Sequence, residues 1–185
     1  MNIGVVISEV GTFSAISIEF MKWHYVMTKL GHNVYIFTGK LNKKFNNVTV
    51  MPNIHPEHES NIILSNKLYT AKEKDQLFEN EVESESDSIE KVFTNWIESH
   101  NLDVIIVENY LSIPMNLLTA YALCKCFQKN QCVKIIKHHD AFYRSTIDSF
   151  TKNKTIKKIL LACFPVNDEN SFHIATNRVI KLYLK

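Results

Sequence analysis

Apolar positions along this chain switch repeatedly between unbroken β-branched runs and stripes spaced three and four apart. Residues 2–8 form the first run and predict a short buried strand. Residues 8–15 read as a loop carrying Gly11. Ile16, Phe20, Trp23, Met27 and Leu30 then fall near helical spacing, predicting a helix over 16–30, and Gly31 stands where a helix-ending glycine belongs. Residues 34–38 predict a second strand, closed by Gly39, and 48–51 a third, stopped by Pro52. The stretch 53–71 is polar, holds His55, Pro56 and His58, and follows no clear period. Residues 74–100 predict a long amphipathic helix with a break near Glu85; its apolar stripe is Leu77, Val82, Ile89, Val92, Phe93, Trp96 and Ile97. A fourth strand follows at 103–107, a helix at 114–128 with Pro114 in its first turn, and a fifth strand at 133–136. Residues 156–163 predict a helix, 172–175 a sixth strand, and 178–185 the start of a further helix.

Strands alternating with helices predict an α/β fold, a Rossmann-like parallel sheet with helices on both faces. At 185 residues the chain is long enough for one domain with its own core, and 1–185 is expected to be that single domain. No internal repeat or low-complexity segment is visible. Residues 79–90 are charge-biased and read as a solvated helix face.

Composition narrows the function classes. The net charge of +2 argues against a main role in binding nucleic acid. No apolar run reaches the length of a membrane span, and the N-terminus lacks the features of a signal peptide. A cytoplasmic protein is expected. Cys124, Cys126, Cys132 and Cys163 lack metal-site spacing and read as buried thiols in a reducing compartment. All four glycines lie within the first forty residues, so later turns must use Asn, Asp and Ser. Lys152, Lys154, Lys157 and Lys158 beside Ile156, Ile159, Leu160 and Leu161 predict a surface helix; peripheral contact with a membrane is the alternative.

Candidate chemistry gathers at strand ends. The fourth strand runs into Glu108-Asn109 and, further on, Pro114-Met115-Asn116. The fifth runs into Lys137-His138-His139-Asp140. Ligands of open α/β sheets bind just outside the carboxyl ends of the strands. A His there can serve as base, electrophile or metal ligand, with an adjacent Asp to orient it. Neighbours on an extended segment point to opposite sides, so His138 and His139 are not expected to chelate one ion, and no metal site is expected. Asn109 and Asn116 either offer amides to a polyhydroxylated ligand or cap the next helix. The first loop, Glu9-Val10-Gly11-Thr12-Phe13-Ser14-Ala15, precedes a helix whose amides can attract phosphate, or is a plain turn. Only Gly11 of a Gly-x-Gly-x-x-Gly fingerprint is present, which speaks against a nicotinamide dehydrogenase.

These residues resemble a known family. The Gly11–Gly39 stretch, with Leu30-Gly31-His32-Asn33-Val34, looks like the start of a retaining glycosyltransferase of the GT-B, glycogen-synthase-like group. Glu108-Asn109, Ile113-Pro114-Met115-Asn116-Leu117 and His138-His139-Asp140 with Phe142 and Tyr143 are similar to a subgroup of it. The match spans nearly the whole chain and corresponds to the N-terminal, acceptor-side domain, one half of a GT-B fold. The resemblance implies hexosyl transfer from a nucleotide-diphosphate sugar with retention and without an essential metal or other cofactor. It places His138, His139 and Asp140 at the transferred sugar. The loop Gly11, Thr12, Ser14 and Ala15 would approach the donor diphosphate. Glu108, Asn109, Asn116 and Tyr143 would lie near a small-molecule or glycan acceptor.

Three positions depart from the family. Ala15 replaces a second loop glycine, Arg144-Ser145 follows the aromatics, and Leu118 stands where Pro is usual. The donor-binding C-terminal domain is expected to be absent, so a donor-domain chain is the expected partner and the chain alone is expected to be inactive. The reading is therefore a truncated glycosyltransferase or one half of a split one. A non-catalytic remnant acting as a binding module is the alternative.

Overall fold

The computed structural model describes residues 1–142 and 144–184. Among these, the strands are β1 (Asn2–Val10), β2 (Asn33–Leu41), β3 (Val48–Val50), β4 (Val104–Glu108), β5 (Val133–His138) and β6 (Ser171–Ala175). They form one parallel sheet in the order β3-β2-β1-β4-β5-β6. The helices are α1 (Ala15–Lys29), α2 (Glu59–Thr70), α3 (Gln76–His100), α4 (Leu117–Lys129), α5 (Ile147–Phe150), α6 (Lys154–Cys163) and α7 (Arg178–Tyr183). This is the expected α/β, Rossmann-like arrangement. The strand order reverses between β1 and β4, and ligands of such sheets bind at that switch point.

Alternation along each strand divides the core between two faces. On one, Val6, Phe37, Ile105, Val107 and Ile136 meet Phe93, Trp96, Leu123, Phe127 and Leu160 of α3, α4 and α6. On the other, Ile3, Val5, Ile7 and Ile36 meet Phe20 and Met27 of α1. The first face is covered by several helices; the second depends on α1.

Several elements differ from their sequence expectation for local physical reasons. β1 and β2 each run further, to Val10 and Leu41, because parallel pairing continues through Glu9↔Lys40 and Val10↔Leu41. Gly39 therefore lies inside β2 rather than closing it. A Cβ at Gly39 would stand 2.5 Å from the His55 backbone nitrogen, so the next segment packs directly on the strand. Gly39→Ala is expected to cost about 1–3 kcal/mol through overpacking, read as a lower urea midpoint; an unchanged midpoint would show that the 52–55 segment yields freely.

The 53–71 stretch holds a 3-10 turn (Pro52–Ile54) and α2. Its period is obscured because Ile62 and Ile63 face solvent while Asn61, Leu64 and Leu68 are buried. α3 is unbroken at Glu85 and begins at Gln76, where the Asp75 carboxylate accepts from the Phe78 N–H. Leu77 is 84% exposed and lies off the apolar stripe. α4 begins at Leu117 rather than Pro114; Asn116 caps it, accepting from the Thr119 N–H, and Pro114 precedes the helix. Gly31 ends α1 as expected, with φ +81° and the reciprocal bonds His32 N–H to Met27 and Gly31 N–H to Thr28.

Cys124, Cys126 and Cys163 are buried, whereas Cys132 is only half-buried. In α6, Ile156, Ile159 and Leu160 pack into the core, and Lys154 and Lys157 pair with Glu73 and Asp148. That is the surface-helix arrangement: three of the four apolar residues named for the membrane alternative are occupied by the protein's own core, and Leu161 is the one that stays exposed. Among the described residues no helix is long and apolar enough to cross a membrane.

Candidate functional site

The carboxyl ends of β4 and β5 hold an unusual density of buried charge. Glu108 and Lys137 are cross-strand neighbours in the parallel pair. Both are buried, and the Lys137 Nζ donates to Glu108 Oε1 at 2.7 Å. It also donates at 2.9 Å to Glu19 Oε1, from the first half of α1, and lies 5.5 Å over the Trp23 ring. The remaining Glu108 oxygen lies 2.9 Å from His139 Nε2. The other His139 nitrogen is 3.8 Å from Glu19 Oε2. Partial burial pushes the Glu19 carboxyl up, but hydrogen bonds from Lys137 and Trp23 and the neighbouring positive charge outweigh it, holding it below the usual carboxylate range. Each charge in this group has an opposite or hydrogen-bonding partner, as burial requires.

Asn109 organises the outer edge of the same site. It adopts φ +64°, a left-handed conformation that Asn tolerates better than most residues. Its Oδ1 accepts from the His139 and Asp140 N–H groups at 3.1 and 3.3 Å. Its Nδ2 donates to Asp140 Oδ2 at 2.9 Å. One amide thus ties the end of β4 to the loop after β5 and fixes the Asp140 carboxylate, which remains exposed at the crevice.

His138 and His139 point to opposite sides, as strand alternation requires. His138 is 1% exposed, with Nδ1 2.9 Å from Ser112 Oγ and Nε2 2.8 Å from His173 Nδ1. Burial, then the neighbouring His173 and His139, pushes its pKa down to about 4. The unfolded chain protonates such a group near 6.5. Between these values the unfolded state binds the extra proton, so this contribution to stability is complete above about pH 6.5 and is lost as pH falls toward 4. The loss amounts to about 3 kcal/mol. Urea midpoints across that range should show the slope in the native chain and a shallower one in His138→Asn; equal slopes would remove His138 as its source.

The other predicted residues take varied places. Asn116 is buried; its Nδ2 donates to the carbonyls of Asn53 and Ile54, and its Oδ1 caps α4, so it displays the capping arrangement. In the first loop, the Gly11 and Thr12 N–H groups both donate to Ser17 Oγ, at 3.0 and 3.2 Å. Ser14 caps α1 by accepting from the Ser17 N–H, and its Oγ lies 3.1 Å from Thr12 Oγ1. Ala15 opens α1 and is exposed. Gly11 has φ +79°, and a Cβ there would stand 2.6 Å from the Lys43 backbone nitrogen. Tyr143 lies outside the described residues. His55 Nε2 is 3.9 Å from Glu9 Oε2 and His58 bonds Ser60, so neither joins the strand-end cluster. Among the described residues no three His, Cys, Asp or Glu side chains are grouped to hold a metal ion.

Sequence reasoning missed Glu19, Lys137, Ser112 and His173. One signal was available. Lys134 and Lys137 lie in a strand flanked on both sides by others, where an ammonium must find partners. Lys134 meets Asp168 and two carbonyls, and Lys137 meets Glu19 and Glu108.

No protein-family model matches the chain, and no solved structure matches it significantly. Two curated relatives do. A mannosylglucosylglycerate synthase of Petrotoga mobilis is 30% identical over 190 residues. A mannosylglucosylglycerate synthase of Thermotoga maritima is 26% identical over 190 residues. Each match takes in 100% of this chain, which spans only 42% of the relative's length. Over its whole length, then, the chain is similar to part of a glycosyltransferase.

Proposed function

We propose that residues 1–185 form the acceptor-side, N-terminal half of a retaining GT-B glycosyltransferase that transfers a hexose from a nucleotide-diphosphate sugar. The single observation that carries this reading is the polar cluster Glu108–Lys137–His139–Asn109–Asp140 at the carboxyl ends of β4 and β5, beside the switch point. The relatives' names supply the reaction class and suggest the acceptor, a hydroxylated carboxylate of the glucosylglycerate kind.

In this reading His139 and Asp140 are the catalytic pair in contact with sugar hydroxyls. Asp140 has one oxygen held by Asn109, and its other oxygen, which bonds no side chain among the described residues, accepts from a sugar hydroxyl. Glu108 is a positioning residue that fixes the His139 ring, and Asn109 positions the loop. His138 acts through Ser112 and His173 as part of the scaffold and does not touch substrate. The loop from Gly11 to Ala15 lies at the start of α1, facing the donor phosphates. Its Gly11 and Thr12 amides are engaged by Ser17, so phosphate contact falls to the first amides of α1 and to Thr12 and Ser14 hydroxyls. The nucleotide pocket belongs to a second domain, supplied by the same polypeptide or by a partner chain.

The test is reconstitution. The 185-residue chain, mixed with the portion of the Petrotoga mobilis relative outside the matched span, is offered a panel of nucleotide-diphosphate hexoses and glucosylglycerate. Hexosyl transfer with retained anomeric configuration is expected. Transfer with inversion would refute the retaining class, and a mixture that binds but never transfers would favour a binding module.

A further inference from the structure

On the flank of α1 away from β4 lies a cavity of about 360 Å3. Its walls are the second half of α1, the turn between α1 and β2, and the loop at 42–47 that joins β2 to β3. That loop is fastened along its length. The Asn42 N–H donates to the Val10 carbonyl at 2.9 Å, and the Asn47 carbonyl accepts from the Ile36 N–H at 2.8 Å. Between them the Phe45 ring packs against Phe20 and His24. His24, His32, Lys44, Asn46 and Asn47 line the cavity, and among the described residues no Asp or Glu does. Of the eight histidines, six have a ring nitrogen bonded to a partner in the protein. The two without one among the described residues are His24 and His32, and both are half-buried in this cavity. His24 makes ring contacts only. Burial pushes its imidazole down from the usual value, with no neighbouring negative charge to offset it. The Lys44 ammonium and the side-chain amides of Asn46 and Asn47 are also without a partner among the described residues.

Polar groups drawn into a fold take partners, and here the chain supplies none. Donors come from three sides: His24 on α1, His32 on the turn, and Lys44 with the two asparagines on the loop. A phosphoryl group offers such an arrangement three acceptor oxygens and about two negative charges, whereas a carboxylate offers two oxygens and one charge. Lysine holds phosphate as a point charge. Ligand cavities begin at about 300 Å3, so this one has room for an organic body beside the phosphoryl group, with Val34 and Phe45 as an apolar wall. The cavity is separate from the strand-end crevice. Asn33 opens β2; Phe37, four residues on, pairs with Val6, whose other neighbour is Val107. About 13 Å of strand thus separates the cavity from the level of Val107, which Glu108 follows.

We propose that this cavity binds a small phosphate monoester, with its phosphoryl group on Lys44, His24 and His32 and its organic part against Phe45 and Val34. The inference stands apart from the glycosyltransferase reading and needs no second domain.

The probe is glycerol 3-phosphate, titrated into the 185-residue chain, with affinity read by calorimetry and the imidazole signals by NMR. Saturable binding at about 1 mM or tighter is expected, moving the His24 and His32 signals and leaving that of buried His138 in place. Lys44 is exposed, so Lys44→Gln leaves the fold intact; it is expected to weaken binding at least about tenfold. Lys152→Gln removes the same charge from the exposed surface before α6 and is expected to weaken binding less than about twofold, because distant surface charges are screened. Binding that does not saturate, unmoved His24 and His32 signals, or equal losses in the two lysine variants overturns the proposal. Orthophosphate binding as tightly as glycerol 3-phosphate also overturns it, since the organic part would then find no wall. So does lactate binding as tightly, since a carboxylate would then serve as well as the phosphoryl group.

Discussion

Replacing His139 by Ala is expected to lower kcat/KM of the reconstituted transferase by about 10- to 100-fold. The figure is that of one hydrogen bond involving a charged group, about 1.5–3 kcal/mol. His139 is held between Glu108 and Glu19 with its ring at the edge of the crevice, so its removal leaves a buried Glu108 oxygen unserved and takes away the sugar contact proposed for it. Glu108→Gln tests the positioning role separately. It keeps an oxygen acceptor but removes the charge, and should alter the pH profile of turnover more than KM. His138→Asn, on the far side of the strand, should leave turnover close to native and show its effect in stability. A reversal, with turnover surviving His139→Ala and lost in His138→Asn, would move the chemistry to the Ser112–His138–His173 side.

Lys137→Met is expected to destabilise the fold by about 3–5 kcal/mol, the cost of taking the ammonium from a buried carboxylate that then keeps only His139 as a partner. Its side chain is 6% exposed and that of Glu108 2% exposed, so water cannot take the place of either partner. The effect should be strongly non-additive. In Glu108→Leu/Lys137→Met no buried charge is left from the pair, and the loss should be well below the sum of the single losses. Urea unfolding of the four proteins in the cycle measures this. A Lys137→Met chain within about 1 kcal/mol of the native one would mean that the ion pair behaves as a surface pair.

The fold was legible because burial and strand period agree over most of the chain. The apolar runs at 2–8, 104–107 and 133–136 are interior strands of a parallel sheet, where both faces demand hydrophobic residues. The alternation of strands and helices then fixed the class. Illegible stretches have a common cause, side chains that satisfy local rather than periodic demands. In α2, Asn61 is buried because its amide reaches the carbonyls of Asn53 and His55, while neighbouring isoleucines face solvent. In β2, polar Lys40 stays in the strand because backbone pairing with Glu9 continues.

The candidate site was legible in part. Strand ends directed attention to Glu108, Asn109, His139 and Asp140, and the structure brings these four together. His138 and Asn116 are drawn inward instead, one by Ser112 and His173, the other by the 53–54 carbonyls. Their partners lie 26 to 63 residues away in sequence, beyond any local pattern. Glu19 joins the site for the same reason, reaching Lys137 across 118 residues.

The most direct test of the central claim is the anomeric product analysis of the chain reconstituted with a donor-side domain, by NMR, with native and His139→Ala chains in parallel. The account predicts a retained glycosidic product from the native pair and a much slower reaction with His139→Ala. Equal rates from the two chains, or no transfer from a stable, fully assembled pair, would contradict it.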